Sequence, residues 1–124
     1  MNQAQTLPPP IDLETCLRIA NQDKDIVKKL LSMFVSELPG EKQAINLAFE
    51  AGNYNLLRTH THKLLGSGAY CGAQNLQNSL MALSKYAKEN NHEPLRKELQ
   101  HFNQCVQDIM NYYRENVLSN NELE

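Results

Sequence analysis

The sequence predicts an all-α fold, an antiparallel four-helix bundle with one or two additional N-terminal helices. From Asp12 onward, apolar residues recur at intervals of three and four rather than two, as they do along one face of a helix. No alternating run rich in Val, Ile and Thr, which would indicate a strand, interrupts this pattern. The segments between the helical stretches are short, and short connections favour antiparallel neighbours.

The first predicted helix is short and covers residues 12–20. Asp12 is a suitable N-cap, and Leu13, Leu17 and Ala20 fall on one side.

A longer helix is predicted to begin near Asp23 or Asp25, where acidic side chains suit the positive end of the helix dipole. We expect Pro39 and Gly40 to break or kink it, because proline lacks a backbone donor and clashes with the preceding turn. A further helical stretch follows over residues 41–51. The predicted inward stripe of the long helix comprises Ile26, Leu30, Phe34 and Leu38.

Three more helices complete the predicted bundle. One covers residues 53–69, and a turn through "YCGA" leads to the next, over residues 74–89. Pro94 suits the first turn of the last helix. The inward residues of the 74–89 helix are Leu76, Leu80, Leu83 and Ala87. The last helix has the most regular stripe, which comprises Leu95, Leu99, Phe102, Val106, Ile109, Tyr113 and Val117.

The two ends of the chain show no helical periodicity. Residues 1–11 are polar and then proline-rich, which is typical of a linker. We therefore assign residues 1–11 as a tether, 12–118 as one folded domain and 119–124 as a C-terminal tail. The tether favours a domain cut from a longer protein, while Met1 is compatible with a separate protein.

Charge and composition exclude several classes of partner. With 12 basic and 14 acidic residues, the chain lacks the positive field that binds nucleic acid or an anionic membrane. It has no apolar run of roughly 20 residues and no signal-peptide pattern, which predicts a cytoplasmic protein without direct membrane contact. Cys16, Cys71 and Cys105 are far apart and in no CxxC spacing, so we expect reduced thiols.

The stretch "HKLLGSGAYCG", residues 62–72, places three glycines close behind a histidine. A dinucleotide-binding loop requires GxGxxG between a strand and a helix, and here Cys71 stands at the position of the third glycine. A P-loop requires Lys followed by Ser or Thr, and no such pair follows Gly72. The preceding residues have helical spacing, so the glycines do not indicate a nucleotide loop.

On a helix, the same stretch gives His62 an exposed position beside the buried side. Arg58 lies one turn before His62, and Gly66 lies one turn after it. A glycine inside a helix costs about 0.5–1 kcal/mol relative to alanine, so Gly66 on an exposed face indicates a need for access to His62. Gly72 is expected to end the helix. The inward side comprises Leu57, Thr61, Leu64 and Gly68.

The motif then resembles the signature of histidine phosphotransfer (HPt) domains. In that family a helix carries a phosphoacceptor His with a Gly four residues later and another Gly near the helix end, as in "HKLLGS" followed by "YCG". The resemblance covers nearly the whole chain. "IDLETCLRIANQDKDIVKKLLSMFVSELP" is similar to the family's opening helices, and "LRTHTHKLLGSGAYCGAQNL" to its active helix hairpin. The prolines ahead of "ID" and the pattern "HKL.GS..Y.G" are most similar to the C-terminal HPt domain of BarA/GacS-type hybrid sensor histidine kinases.

The resemblance implies that His62 accepts a phosphoryl group from the aspartate of one receiver domain and passes it to another in a two-component phosphorelay. The implied partners are the receiver domains of a hybrid kinase and of a response regulator. The receiver is expected to bring Mg²⁺, so that this domain binds no cofactor and is not an autonomous enzyme. We expect a monomeric domain, in the cytosolic C-terminal part of an inner-membrane sensor kinase if it is a fragment.

The resemblance also assigns supporting residues. Lys63 could offset phosphoryl charge at the rim of the site. Where the family often has Lys, three residues after the His, this chain has Leu65, and Arg58 could supply the charge instead. Counting back from the turn places Ser84 at the level of His62, and the family commonly uses a polar side chain there to hold the imidazole. The expected docking surface comprises Leu65, Ala69, Gln77 and Met81.

The remaining histidines are expected to be structural. His60 lies about 200 degrees around the helix from His62, toward the inward side, as a partly buried packing residue. His92 and His101 are expected to have no acidic or histidine partner at metal-binding helical spacing, which predicts no metal site. Met33, Met81 and Met110 are interpreted as core or rim residues.

Two alternatives belong to other functional classes. The first is a helical adaptor that binds a partner without phosphotransfer, for which His62 is incidental. The second is a small enzyme with His62 as general base, although no carboxylate or nucleophile is placed by the sequence to work with it.

Overall fold

The computed structural model of the chain describes residues 8–118, so tether residues 1–7 and the tail at 119–124 lie outside the described residues. The helices are α1 (Leu13–Ile19), α2 (Lys24–Glu50), α3 (Tyr54–Ser67), α4 (Gln74–Lys88) and α5 (His92–Tyr112). Helices α2 to α5 pack as an antiparallel four-helix bundle, and α1 packs against α2, which confirms the predicted fold. A 3₁₀ turn at Gly68–Tyr70 follows α3, and a π-helical segment at Tyr113–Leu118 continues α5.

Each of the first three helices begins at a side-chain cap. The carboxylates of Asp12 and Asp23 accept hydrogen bonds from the first turns of α1 and α2, and the Asn53 amide oxygen does the same for α3. These caps satisfy backbone donors that have no partner inside the helix. The predicted starts of these helices are confirmed.

The predicted inward stripes of α4 and α5 form much of the core. All four residues of the α4 stripe are buried, and so are those of α5 from Leu95 to Ile109. Val117, in the π-helical segment, is also buried, while Tyr113 is half-buried. These two helices therefore follow the periodicity of the sequence closely.

The inward stripe of α2 differs from the prediction in its first two turns. Val27 and Leu31 are buried, whereas Ile26 is 46% exposed and Leu30 is half-buried. Successive steps of four residues drift around a helix that repeats every 3.6 residues. Steps of four, three and four lead from Val27 to Leu38 with little drift, so Val27 and Leu31 are the inward residues.

Pro39 lies inside α2, which is one continuous helix from Lys24 to Glu50, so of the break or kink predicted at Pro39 and Gly40 the break is wrong. Pro39 is exposed, but Leu38 before it and Ile45 after it are fully buried. Proline removes one backbone hydrogen bond. Packing of both halves of the helix against the same core offsets that loss.

The packed domain begins before the predicted boundary at residue 12. Ile11, which the sequence assigned to the tether, is fully buried. The backbone N–H of Asp12 donates to the carbonyl of Gly72 at 3.0 Å. The chain is therefore fixed to the α3–α4 connection at the point where α1 begins.

The prediction that Gly72 ends α3 is wrong, because α3 ends at Ser67. It instead turns the chain toward α4 with a φ of +59°, and a Cβ here would lie 2.7 Å from the carbonyl oxygen of Asp12. Both the left-handed conformation and the close backbone contact require glycine.

Candidate functional site

His62 is exposed on α3, while the residue before it, Thr61, is fully buried. Leu57 and Leu64 are also buried, so they fix the rotation of α3 as the sequence predicted. His62 consequently stands beside the core with its imidazole at the surface between α3 and α4.

Ser84 on α4 holds the imidazole of His62. Its Oγ lies 3.0 Å from Nε2 of His62, and Ser84 itself is half-buried. A hydroxyl can donate to an unprotonated ring nitrogen or accept from a protonated one, so the contact is compatible with either neutral tautomer. The structure thus brings together His62 and Ser84, the two residues that counting back from the turn places at the same level.

Gly66 and Gly68 differ in their surroundings. A Cβ added at Gly66 would meet no atom within 4 Å, so the packing of this chain does not require glycine there. A Cβ at Gly68 would lie 3.1 Å from Nε2 of Gln77 and 3.2 Å from the Phe34 ring. Gly68 therefore serves close packing, while Gly66 leaves space next to His62.

Glu41 forms a charged cluster with two residues that flank His62 on α3. Its Oε1 lies 2.7 Å from Nδ1 of His60, and its Oε2 accepts from Lys63 Nζ at 2.9 Å. The sequence analysis did not identify Glu41, which lies 19 residues before His60 across the short connection between α2 and α3. His60 is partly buried as predicted, but it is a hydrogen-bonding partner rather than only a packing residue.

The cluster alters the ionisation of its members. Burial alone would raise the pKa of Glu41, but the hydrogen bonds and charges of Lys63 and His60 outweigh it and hold that pKa below 4.5. The hydrogen bond to Glu41 and its negative charge raise the pKa of Lys63. The ammonium that the resemblance placed at the phosphoryl rim is therefore already paired with a carboxylate.

The predicted docking residues form a surface on the C-terminal side of His62. Ala69 is exposed, Met81 is 59% exposed, and Leu65 is half-buried. The half-buried Gln77 donates from Nε2 to the carbonyl of Leu65 at 3.5 Å. Tyr70, which the sequence did not single out, is 54% exposed in the 3₁₀ turn after Ala69.

Arg58 lies on the N-terminal side of His62. It is half-buried and lines an open surface depression together with Asn55, Thr59 and His62. The two sides of His62 thus differ, with an apolar surface toward the end of α3 and a cationic depression toward its start.

The expectation that His101 lacks an acidic partner is wrong. Its Nδ1 lies 2.8 Å from Oε2 of Glu98, three residues earlier on α5, a spacing that the sequence already contained. Glu98 also accepts from Ser79 at 2.7 Å. His92 is hydrogen-bonded to Tyr54 and stacks on Phe49. Within residues 8–118, no three His, Cys, Asp or Glu side chains are grouped as metal ligands.

Of the other residues that the sequence singled out, the cysteines pack in the core, whereas Met33 lies at the surface. The three cysteines are free and buried, and burial raises their pKa to about 11 for Cys16 and Cys105 and to about 12 for Cys71. Met33 is 61% exposed and Met110 partly buried.

In the described part of the chain, no helix is long and apolar enough to cross a bilayer.

A family model with the description "Hpt domain" matches residues 29–112, more than half of the chain. The sensor histidine kinase GacS of Pseudomonas protegens is 31% identical over 67 residues, 54% of this chain and 7% of that protein. The sensor protein GacS of Pseudomonas syringae pv. syringae is 28% identical over 80 residues, 64% of this chain and 9% of that protein. The chain therefore spans less than a tenth of the length of these relatives.

Two solved structures have a similar fold. The HPT domain of a sensor hybrid histidine kinase from Shewanella superposes with a TM-score of 0.80 at 20% identity, covering 88% of this chain and 94% of that one. A putative histidine-containing phosphotransfer protein from rice superposes with a TM-score of 0.76 at 17% identity, covering 93% of this chain and 86% of that one.

Proposed function

Because the chain belongs to the Hpt domain family, its function is histidine-containing phosphotransfer in a phosphorelay, and we propose that His62 carries the phosphoryl group. The observation that carries this proposal is the exposed imidazole of His62, held by Ser84 at 3.0 Å and open on the side of Gly66. By contrast, His60 and His101 each contact a carboxylate.

In the proposed reaction, an unprotonated ring nitrogen of His62 attacks the phosphorus of a receiver's aspartyl phosphate. The N–P bond forms, the P–O bond to the aspartate breaks, and the aspartate leaves as a carboxylate with the electron pair. The proton on the other ring nitrogen stays in place. The reverse reaction with a second receiver regenerates His62.

The contact with Ser84 occupies Nε2 of His62 and leaves Nδ1 without this partner. When Nε2 carries the proton and donates it to Ser84, the lone pair of Nδ1 is available for attack. Attack through Nε2 requires that this hydrogen bond first breaks. In either case Ser84 limits the rotation of the imidazole before transfer, which reduces the entropy lost on reaching the reactive geometry.

The proposed partners are the receiver domains of a hybrid kinase and of a response regulator, consistent with the sensor kinases among the relatives. The receiver would dock on the surface formed by Leu65, Ala69, Gln77 and Met81. It would supply Mg²⁺ and most of the charge stabilisation, and this domain would supply a positioned nucleophile without catalysis of its own. We propose that the relay operates in the cytoplasm and that the isolated domain is a monomer.

The test is transfer of labelled phosphate from phosphorylated receiver domains in the presence of Mg²⁺. We expect a label on this chain that is labile in acid and stable in base, and none on His62→Gln. The matched control is His101→Gln, since His101 is also an exposed histidine on a bundle helix; it should be labelled like the wild type. Absence of label on the wild type, or label that survives in His62→Gln, contradicts the proposal, and retained receiver binding without label would indicate an adaptor.

A further inference from the structure

The depression on the N-terminal side of His62 has a volume of about 290 Å³ and is open to solvent. It is lined by Asn55, Arg58, Thr59 and His62. Residues 55, 58, 59 and 62 follow one another on the same face of α3 at intervals of three and four. A group attached to His62 on this side would therefore lie next to Arg58.

Arg58 has an unsatisfied donor at this place. Its Nε is buried and has no hydrogen-bond partner. A buried donor without a partner is unfavourable, and native structures rarely retain one without a reason. A guanidinium has the fork geometry that suits phosphoryl oxygens, and a shift of the Arg58 side chain toward an acceptor in the depression would give Nε a partner.

The other cation on α3, Lys63, is less suited to bind a phosphoryl group on His62. The Lys63 ammonium donates to Glu41 at 2.9 Å, and Leu65, three residues after His62, carries no charge. Among the residues that line the depression, Arg58 is the permanently charged one.

From this arrangement we propose that Arg58 binds the oxygens of the phosphoryl group on His62. The inference rests on the proposed function of His62 and extends it, since it names the residue that stabilises the phosphorylated state. Arg58 makes no covalent bond and transfers no proton. It is a positioning cation that stabilises the negatively charged phosphoryl group.

The experiment uses the whole chain phosphorylated by phosphoramidate, a small-molecule donor for histidine, so no receiver is needed. The imidazole ring of phosphorylated His62 is titrated through its ³¹P shift in the wild type, in Arg58→Gln and in Arg58→Lys. Loss of the cation should raise the pKa of that ring, because a nearby positive charge disfavours the imidazolium. At the pH where half of the wild-type rings are protonated, roughly two thirds to four fifths of those in Arg58→Gln should be, the effect of an exposed charge pair.

Three further measurements complete the test. Arg58→Lys, which keeps the charge, should titrate nearly as the wild type, and Lys97→Gln, an exposed cation on α5 outside the depression, should titrate as the wild type. The ¹⁵N-resolved Nε–H signal of Arg58, identified by its loss in Arg58→Gln, should shift when His62 is phosphorylated. Circular dichroism checks that the variants are folded.

The outcomes separate the two proposals. A wild-type chain that takes no phosphoryl group on His62 overturns both the proposed function and the part assigned to Arg58. Two results overturn the Arg58 proposal alone. One is a phosphorylated Arg58→Gln that titrates like the wild type, and the other is an Arg58 Nε–H signal that does not shift when His62 is phosphorylated.

Discussion

Nδ1 of His60 and Oε1 of Glu41 lie 2.7 Å apart and join α3 to α2 two residues before His62. Because residues two apart are separated by about 200 degrees around a helix, a contact that holds His60 toward α2 turns His62 away from α2. On that other side, Ser84 of α4 contacts the His62 ring. The rotation of α3 is therefore fixed by polar contacts on two sides as well as by its buried apolar residues.

Glu41→Gln should destabilise the fold by about 1–3 kcal/mol at neutral pH, because it removes the charge from a buried acceptor of two hydrogen bonds. The pKa of Glu41 is lower in the folded chain than its ordinary value of 4.5. A carboxyl with a depressed pKa stabilises the fold above the ordinary value and loses that contribution as pH falls through the folded value.

Urea unfolding of wild type and Glu41→Gln at a series of pH values measures this. The stability difference should be full above pH 4.5 and shrink below it. Glu93→Gln, at an exposed pair with Arg96, is the matched control and should change little. A difference that stays constant across the series would show that the charge of Glu41 is not the cause.

Gly66→Ala should stabilise the helix by about 0.5–1 kcal/mol and still slow phosphotransfer. The added methyl meets no atom of this chain within 4 Å but stands one turn from His62, where a receiver must approach. Thermal unfolding and transfer from a phosphorylated receiver measure the two effects. Transfer at the wild-type rate would show that the space beside Gly66 is not needed.

Gly68→Ala provides the contrasting case. Its methyl would press on the Phe34 ring at 3.2 Å and on Gln77 at 3.1 Å. Overpacking of this kind costs about 1–3 kcal/mol. We expect a lower melting temperature than that of the wild type, and a melting temperature equal to that of Gly66→Ala would contradict the tight packing at Gly68.

The cysteines should resist alkylation in the folded chain. All three are buried, and burial raises the pKa of Cys71 to about 12, so the reactive thiolate is scarce at neutral pH. Mass spectrometry after iodoacetamide treatment at pH 7 should show little modification in buffer and three alkylated cysteines in denaturant. Rapid labelling in buffer would mean that the core opens readily.

Much of the fold and the pairing of His62 with Ser84 could be predicted from the sequence because both depend on helical periodicity. The stripes of α4 and α5 are long and regular, and the hairpin is short enough for its register to be counted. The α2 stripe was ambiguous because Ile26 and Val27 are both apolar, and packing in three dimensions decides between them.

One remaining feature depends on a contact between distant segments, because Gly72 packs on the backbone of Asp12. Glu41 lies only 19 residues from His60, fewer than the 22 between His62 and Ser84, but the predicted break at Pro39 and Gly40 separated Glu41 from the helix to which it belongs. Pro39 was interpreted by its local preference, which packing on both sides overrides. Glu98 is a different case, because its spacing of three from His101 is visible in the sequence.

Ser84→Ala should lower the rate of phosphotransfer about two- to tenfold, the effect of losing one hydrogen bond of ordinary strength. The Ser84 hydroxyl is 3.0 Å from Nε2 of His62, and without it the imidazole samples more orientations before attack. Receiver binding should be unchanged, because the exposed docking residues are not altered.

The measurement is single-turnover transfer from a phosphorylated receiver at saturating concentration, with receiver affinity determined separately by calorimetry. Ser84→Thr keeps the hydroxyl and should transfer faster than Ser84→Ala. Ser36→Ala is the matched control, because the Ser36 hydroxyl bonds only within α2, to the carbonyl of Met33. If Ser84→Ala transferred as fast as Ser36→Ala, the contact with Nε2 would have no part in orienting His62.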